Sequence, residues 1–150
     1  MTFSIRRANE IDLPTIADFN AAMAYETEGL VLDRKRLEGG IGAALNDSRK
    51  GWYYLAEAQG EAIAQTLITL EWSDWRNGWW WWIQSVYVIP SWRRKGVFRA
   101  IYEQIAKEAK EDGAVGLRLY VEKENTGAQK TYIDLGMKTS HYQFYEAAFE

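Results

Sequence analysis

The one dense cationic cluster of this chain is Arg93-Arg94-Lys95, with Arg99 close behind, and Gly96 follows the third charge. Its flanks give it chemical meaning. Val86-Tyr87-Val88-Ile89-Pro90 stands before it, and Val97-Phe98 opens a stretch of helical periodicity after it. A strand, a tight basic turn with glycine and then a helix N-terminus make a phosphate holder, because unpaired N–H groups and the positive dipole end face the anion. Gly96 lets the backbone bend and approach closely. Arg93, Arg94, Lys95 and Arg99 add charge around the same point. By itself, a three-residue charge run is more commonly a solvated turn.

A second concentration of chemistry is Glu71-Trp72-Ser73-Asp74-Trp75-Arg76-Asn77-Gly78-Trp79, dense in both carboxylates and indoles. Acidic groups beside indole faces suit a small organic cation, such as a polyamine, an amino-acid-like amine or an aminated drug. Glu26 and Glu28, in Tyr25-Glu26-Thr27-Glu28-Gly29, are expected to lie over the same acceptor side. A structural account competes for part of this segment. Asn77-Gly78 is a hairpin signal, and Trp80 and Trp82 read as packing residues, while Trp72 and Trp75 stay open to either role. An exposed part of the Trp row would also serve as a homodimer surface. There is no cysteine, which excludes disulfides, thiolate metal sites and a Cys nucleophile. His141 is the single histidine, and with nothing beside it to ligate a transition metal, no metal site is expected.

The elements that must position these residues follow from periodicity. Phe3, Ile5 and Arg7 alternate in a first strand over Thr2 to Ala8. Leu13, Ile16, Ala17, Phe19, Asn20 and Met23 recur at helical spacing, with Asp12 before Pro14 as the helix entry. A second helix spans Asp33 to Asn46, although Gly39, Gly40 and Gly42 each weaken it by about 1 kcal/mol against Ala. Trp52 to Ala58 and Ala62 to Trp72 form a hairpin about Gln59-Gly60-Glu61. Trp79 to Ile89 is the most strand-prone run, and Pro90 ends it. Val97, Ile101, Ile105 and Ala109 form the apolar stripe of a helix that stops at Gly113. Val115 to Glu122 reads as a strand, Thr126 to Leu135 as a helix capped by Asn125 and Thr126, with Thr126 and Gln129 spaced as a capping box. Met137 to Phe144 is predicted as a last strand. The order is β-α-α-β-β-β-α-β-α-β, a mixed α/β pattern with some parallel pairing.

A chain of 150 residues fits one domain, 1–150, since halves would be too small for adequate cores. Hydrophobic residues make up 47% and charged ones 26%, as in folded globular proteins. The net charge of -3 argues against a nucleic-acid partner, which needs a basic surface. No stretch approaches the roughly 18 apolar residues that span a bilayer, and the N-terminal residues lack an apolar signal region, so no membrane partner and a cytoplasmic location are expected.

Arg93-Arg94-Lys95-Gly96-Val97-Phe98 after the V-x-V-x-P strand resembles the acetyl-CoA motif of the GNAT superfamily of N-acetyltransferases. In that motif an Arg or Gln, two variable residues, Gly, a variable residue and then Gly or Ala wrap the cofactor pyrophosphate. The family usually has a small residue where Phe98 stands. Asn125-Thr126-Gly127-Ala128-Gln129-Lys130-Thr131-Tyr132, continuing to Gly136-Met137, resembles the family's N-x-x-A-x-x-x-Y-x-x-x-G-[FM] segment. Both motifs fall in order on the expected elements, and the resemblance covers essentially the whole chain. It implies an α/β (α+β) acyl-CoA N-acyltransferase fold, with four helices and a mixed, mostly antiparallel sheet of six or seven strands.

The implied activity is transfer of acetyl from acetyl-CoA to a primary amine of a small molecule, by direct attack in a ternary complex. Alkyl amines have a pKa of about 10.4, so a base is required; Glu28 and Glu71 lead the candidates, followed by Glu26 and Asp74. By resemblance, Tyr132 protonates the leaving thiolate, Asn125 contacts the cofactor, and the backbone of Val86, Tyr87 and Val88 holds the pantetheine arm. Asp74, Glu26, Glu28, Trp72 and Trp75 are the acceptor-binding candidates. Two other functions fit the same fold. A protein N-terminal or lysine acetyltransferase would need an open groove, and a non-catalytic acyl-CoA-binding module would have no use for Tyr132.

Overall fold

The computed structural model describes residues 2–150. By their internal contacts they fall into two compact units, one running to residue 119 and the other over 120–150. The first unit contains β1 (Ser4–Arg7), α1 (Leu13–Glu28), α2 (Arg34–Asn46), β2 (Trp52–Ala58), β3 (Glu61–Ser73), β4 (Gly78–Val88), α3 (Val97–Glu111) and β5 (Gly116–Arg118). Its strands form one sheet in the order β1-β2-β3-β4-β5. Every pair is antiparallel except β4 with β5, which is parallel and requires the α3 crossover between them.

Each face of the sheet carries its own core. On one, Ile101, Ile105, Val97 and Ala109 of α3 pack on Tyr54, Ala56, Ile63, Ile68, Trp81 and Ile83. These four helix residues are the predicted i, i+4 stripe, and full burial of each branched one contributes about 1.5–3 kcal/mol. On the other face, Ile16 and Ala17 of α1 and Ile41 and Ala44 of α2 pack on Tyr53 and Leu55. Parity explains the split, since Tyr53 and Tyr54 are neighbours on β2 and point to opposite faces.

Local chemistry sets the ends. The β2–β3 turn places Gln59 at φ 54° and Gly60 at φ 79°, the left-handed pair that a two-residue hairpin demands. Pro14 opens α1 as predicted, and Asp12 stands at its N-cap position, but its side chain makes no capping bond to that helix. The Asp12 carboxylate accepts from the Asn9 N–H at 2.8 Å and from Arg6 at 2.8 Å. These bonds, with Arg6 first, hold its pKa below the usual Asp value.

The second unit holds α4 (Thr126–Asp134). Its cap is Asn125, whose side chain accepts from the Ala128 N–H at 3.1 Å. Gln129 donates to the carbonyls of Glu122 and Lys123, so the Thr126–Gln129 box does not form. Among the described residues the expected last strand, Met137 to Phe144, is absent, and the sheet has five strands rather than six or seven. In its place, Phe144 stacks on Tyr120 at 5.3 Å without a ladder. The Val115 to Glu122 strand is likewise reduced to Gly116–Arg118.

Candidate functional site

Between Leu67–Ile68 on β3 and Ser85–Ile83 on β4 the register shifts, so Gln84 is an extra residue that β3 does not match. A bulge of this kind bends its strand and increases the local twist. The consequence shows on the other side of β4. There, β5 pairs only with Trp80, Trp81 and Trp82, and among the described residues no strand follows it along Ile83 to Val88.

The hydrogen-bond alternation identifies what that edge presents. Ile89 donates to the Ile63 carbonyl at 2.9 Å, and Ala64 faces Val88 while Thr66 faces Val86. Amides of Val86 and Val88 therefore point away from β3, into the gap. Arg93 reaches the same edge, where its Nε donates to the Val88 carbonyl at 2.8 Å.

Past Val88 the chain makes a short 3-10 turn at Pro90–Trp92 and then reaches Gly96, the N-cap of α3, at φ 81°. Arg94 also adopts a left-handed φ of 62°, which is uncommon outside glycine and gives the turn its sharp reversal. Gly96 has no side chain to cap the first turn of α3, and the space its Cβ would enter is open. The turn thus aims first-turn amides and the helix dipole at solvent beside four cations, an arrangement that fits a diphosphate. Phe98 occupies the small-residue position of the motif, yet its ring lies along the helix, 6.3 Å from that of Tyr102.

Glu26, at the end of α1, reaches this turn rather than the Trp-rich hairpin. Its Oε2 lies 2.8 Å from Arg93, and its Oε1 accepts from the Tyr87 hydroxyl at 3.3 Å. Tyr87 is buried against Phe19 and Arg93, and burial, then Glu26, raises its pKa.

The β3–β4 hairpin groups the remaining candidates differently. Glu71 accepts from Trp82 Nε1 at 2.8 Å and from Arg118 at 2.9 Å, and these partners hold its carboxyl below the usual Glu range. Arg118 also stands 3.8 Å over the Trp80 ring, and Arg76 lies 5.1 Å from the same ring. Trp72 and Trp79 meet edge to face at 5.0 Å on the opposite face of the hairpin, and Trp75 at the tip is 91% exposed. Trp81 is the indole that enters the core, whereas Trp80 and Trp82 are half-buried beneath polar partners.

The sequence model of the Acetyltransferase (GNAT) family matches residues 14–137. The chain belongs to the GNAT acetyltransferase family. Among solved structures, a possible acetyltransferase from Clostridium difficile 630 is 45% identical, with a TM-score of 0.92 over 100% of this chain and 99% of that one. An aminoglycoside N-acetyltransferase in complex with CoA is 18% identical, with a TM-score of 0.81 over 99% and 95% of the two chains. A ribosomal-protein-alanine N-acetyltransferase from Brucella melitensis is 18% identical, with a TM-score of 0.79 over 99% and 100%. No curated protein sequence matches significantly.

Within this GNAT chain, Val86, Tyr87, Val88, Arg93, Gly96 and Glu26 are brought together around the β4–α3 turn. Glu71 belongs to the hairpin cluster, and Glu28 makes no ion pair among the described residues. Asn125 and Tyr132 lie in the second unit, where Asn125 acts as the α4 cap and burial pushes the Tyr132 phenol up. Sequence reasoning passed over Gln84 and Arg118. Gln84 had a signal, as the first polar residue after the apolar run Trp79 to Ile83. Arg118 had none, because its partners Glu71 and Trp80 sit on other strands. Among the described residues no helix is long and apolar enough to cross a membrane.

Proposed function

We propose that this chain transfers acetyl from acetyl-CoA to a primary amine of a small cationic molecule, by direct attack within a ternary complex. The carrying observation is the open edge of β4 beyond the Gln84 bulge, continuous with the uncapped start of α3. Amides of Val86 and Val88 can pair with a pantetheine arm as an added strand would, while the Arg93 to Arg99 turn receives the diphosphate. Acetyl-CoA supplies an activated thioester. Everything else is the work of positioning, through the entropy saved when the amine and the carbonyl are held together.

Proton movements assign the remaining roles. Tyr132 acts as the acid toward the leaving sulfur; its raised pKa keeps the phenol protonated through neutral pH, as an acid requires. Of the two leading base candidates, Glu71 is stabilised as a carboxylate by Trp82 and Arg118, which makes it a poor proton acceptor. Among the described residues Glu28 has no such partner, and we assign it the base. Asp74, Trp72 and Trp75 form the acceptor-side rim, where a carboxylate and exposed indoles suit an ammonium. Thiol release with acetyl-CoA and a panel of amines tests the reading. Turnover above hydrolysis with a diamine or aminated sugar supports it, and acetyl-CoA bound without transfer to any amine would reduce the chain to a binding module.

A further inference from the structure

Arg93 is engaged by groups of the protein itself. One guanidinium nitrogen pairs with Glu26 Oε2 at 2.8 Å, Nε donates to the Val88 carbonyl at 2.8 Å, and the group lies 5.5 Å from the Tyr87 ring. Glu26 is itself steadied by the Tyr87 hydroxyl. The arginine thus lies across the end of the open β4 edge, beside the first turn of α3. A carboxylate from α1 takes the charge that a phosphate oxygen at that turn would seek.

The pair is built to exchange. Its side chains are 43% and 42% exposed, so water screens the attraction and an isolated ion pair of this kind is weak. A diphosphate offers the same guanidinium more negative charge, with the α3 amides as additional donors. We propose that Glu26 and the cosubstrate diphosphate compete for Arg93, making Glu26 a positioning residue that lowers acetyl-CoA affinity and leaves the turn when acetyl-CoA binds. The proposal rests on the acetyl-CoA reading above and adds an opposing residue on α1 to it.

Calorimetric titration of the full chain tests it, using acetyl-CoA and acetyl-pantetheine, which lacks the diphosphate. Glu26→Gln and Glu26→Ala are expected to bind acetyl-CoA about two- to fivefold more tightly, the scale of an exposed ion pair, with acetyl-pantetheine unchanged. In an Arg93→Ala background the gain is expected to vanish. An equal gain in that background would reduce Glu26 to simple charge repulsion and overturn the competition. Unchanged or weaker acetyl-CoA binding by both Glu26 variants, or an equal gain for acetyl-pantetheine, overturns it as well. Wild-type protein that does not bind acetyl-CoA removes the cosubstrate reading itself, whereas normal wild-type binding with no Glu26 effect sinks only the competition.

Discussion

Glu28 and Glu71 are equivalent as residue types, and their surroundings separate them. Glu71 is fastened by an indole and a guanidinium, while Glu28 ends α1 without an ion pair among the described residues. A general base contributes typically about 10²–10⁴ in rate. Glu28→Gln should therefore lower kcat by at least about tenfold. Glu71→Gln should lower it less, and steady-state thiol release compares the two. Tyr132→Phe should keep acetyl-CoA affinity by calorimetry and reduce turnover by about 10²-fold; unchanged turnover would reject the phenol as the acid. Asp12 gives a stability prediction. Its folded pKa is lowered, chiefly by Arg6, so its contribution is present above the unfolded pKa of about 3.9 and is lost as pH falls through the folded value. Asp12→Asn should lower Tm at neutral pH and flatten the fall of Tm below about pH 4, as a thermal melt series would show.

At the scale of elements, the parallel pairing of β4 with β5 depends on close approach. A Cβ on Gly116 would meet the Trp80 ring at 2.5 Å, and that ring is covered by Arg118, so the strand has little room to yield. Gly116→Ala should destabilise the chain by about 1–3 kcal/mol in urea melts. Most elements were legible because each announces itself in a short window. The α3 stripe, the Gln59-Gly60 turn and the Pro14 helix entry depend on periodicity or on φ preferences of single residues. The misses share a cause. Whether 137–144 becomes a strand depends on finding a ladder partner, and alternation of side chains supplies none. Cap bonding was decided outside such a window too: the Asp12 carboxylate at the start of α1 is taken by Arg6, and of Asn125 and Thr126 it is Asn125 that takes the Ala128 amide.

For the whole molecule, ligand binding and folding are linked. If the β4 edge and the α3 turn hold acetyl-CoA, then at 100 times Kd the native state gains about 2.7 kcal/mol. In a chain of 150 residues this raises Tm by roughly 5–10 °C. The rise should shrink with added salt, because the turn's cations carry part of it; differential scanning fluorimetry with acetyl-CoA at low and high salt measures both effects. The amino-acid order alone determined the helices, the main strands, the basic glycine turn and its family resemblance, since these reside in contiguous residues and repeat within a few positions. Tertiary structure alone decided that β4 bulges at Gln84 and parts from β5 after Trp82, that Glu26 meets Arg93, and that Arg118 claims Glu71. Each of those pairings joins residues far apart in the chain, and complementary charge or an unmatched amide has no address until the backbone has brought its partner within reach.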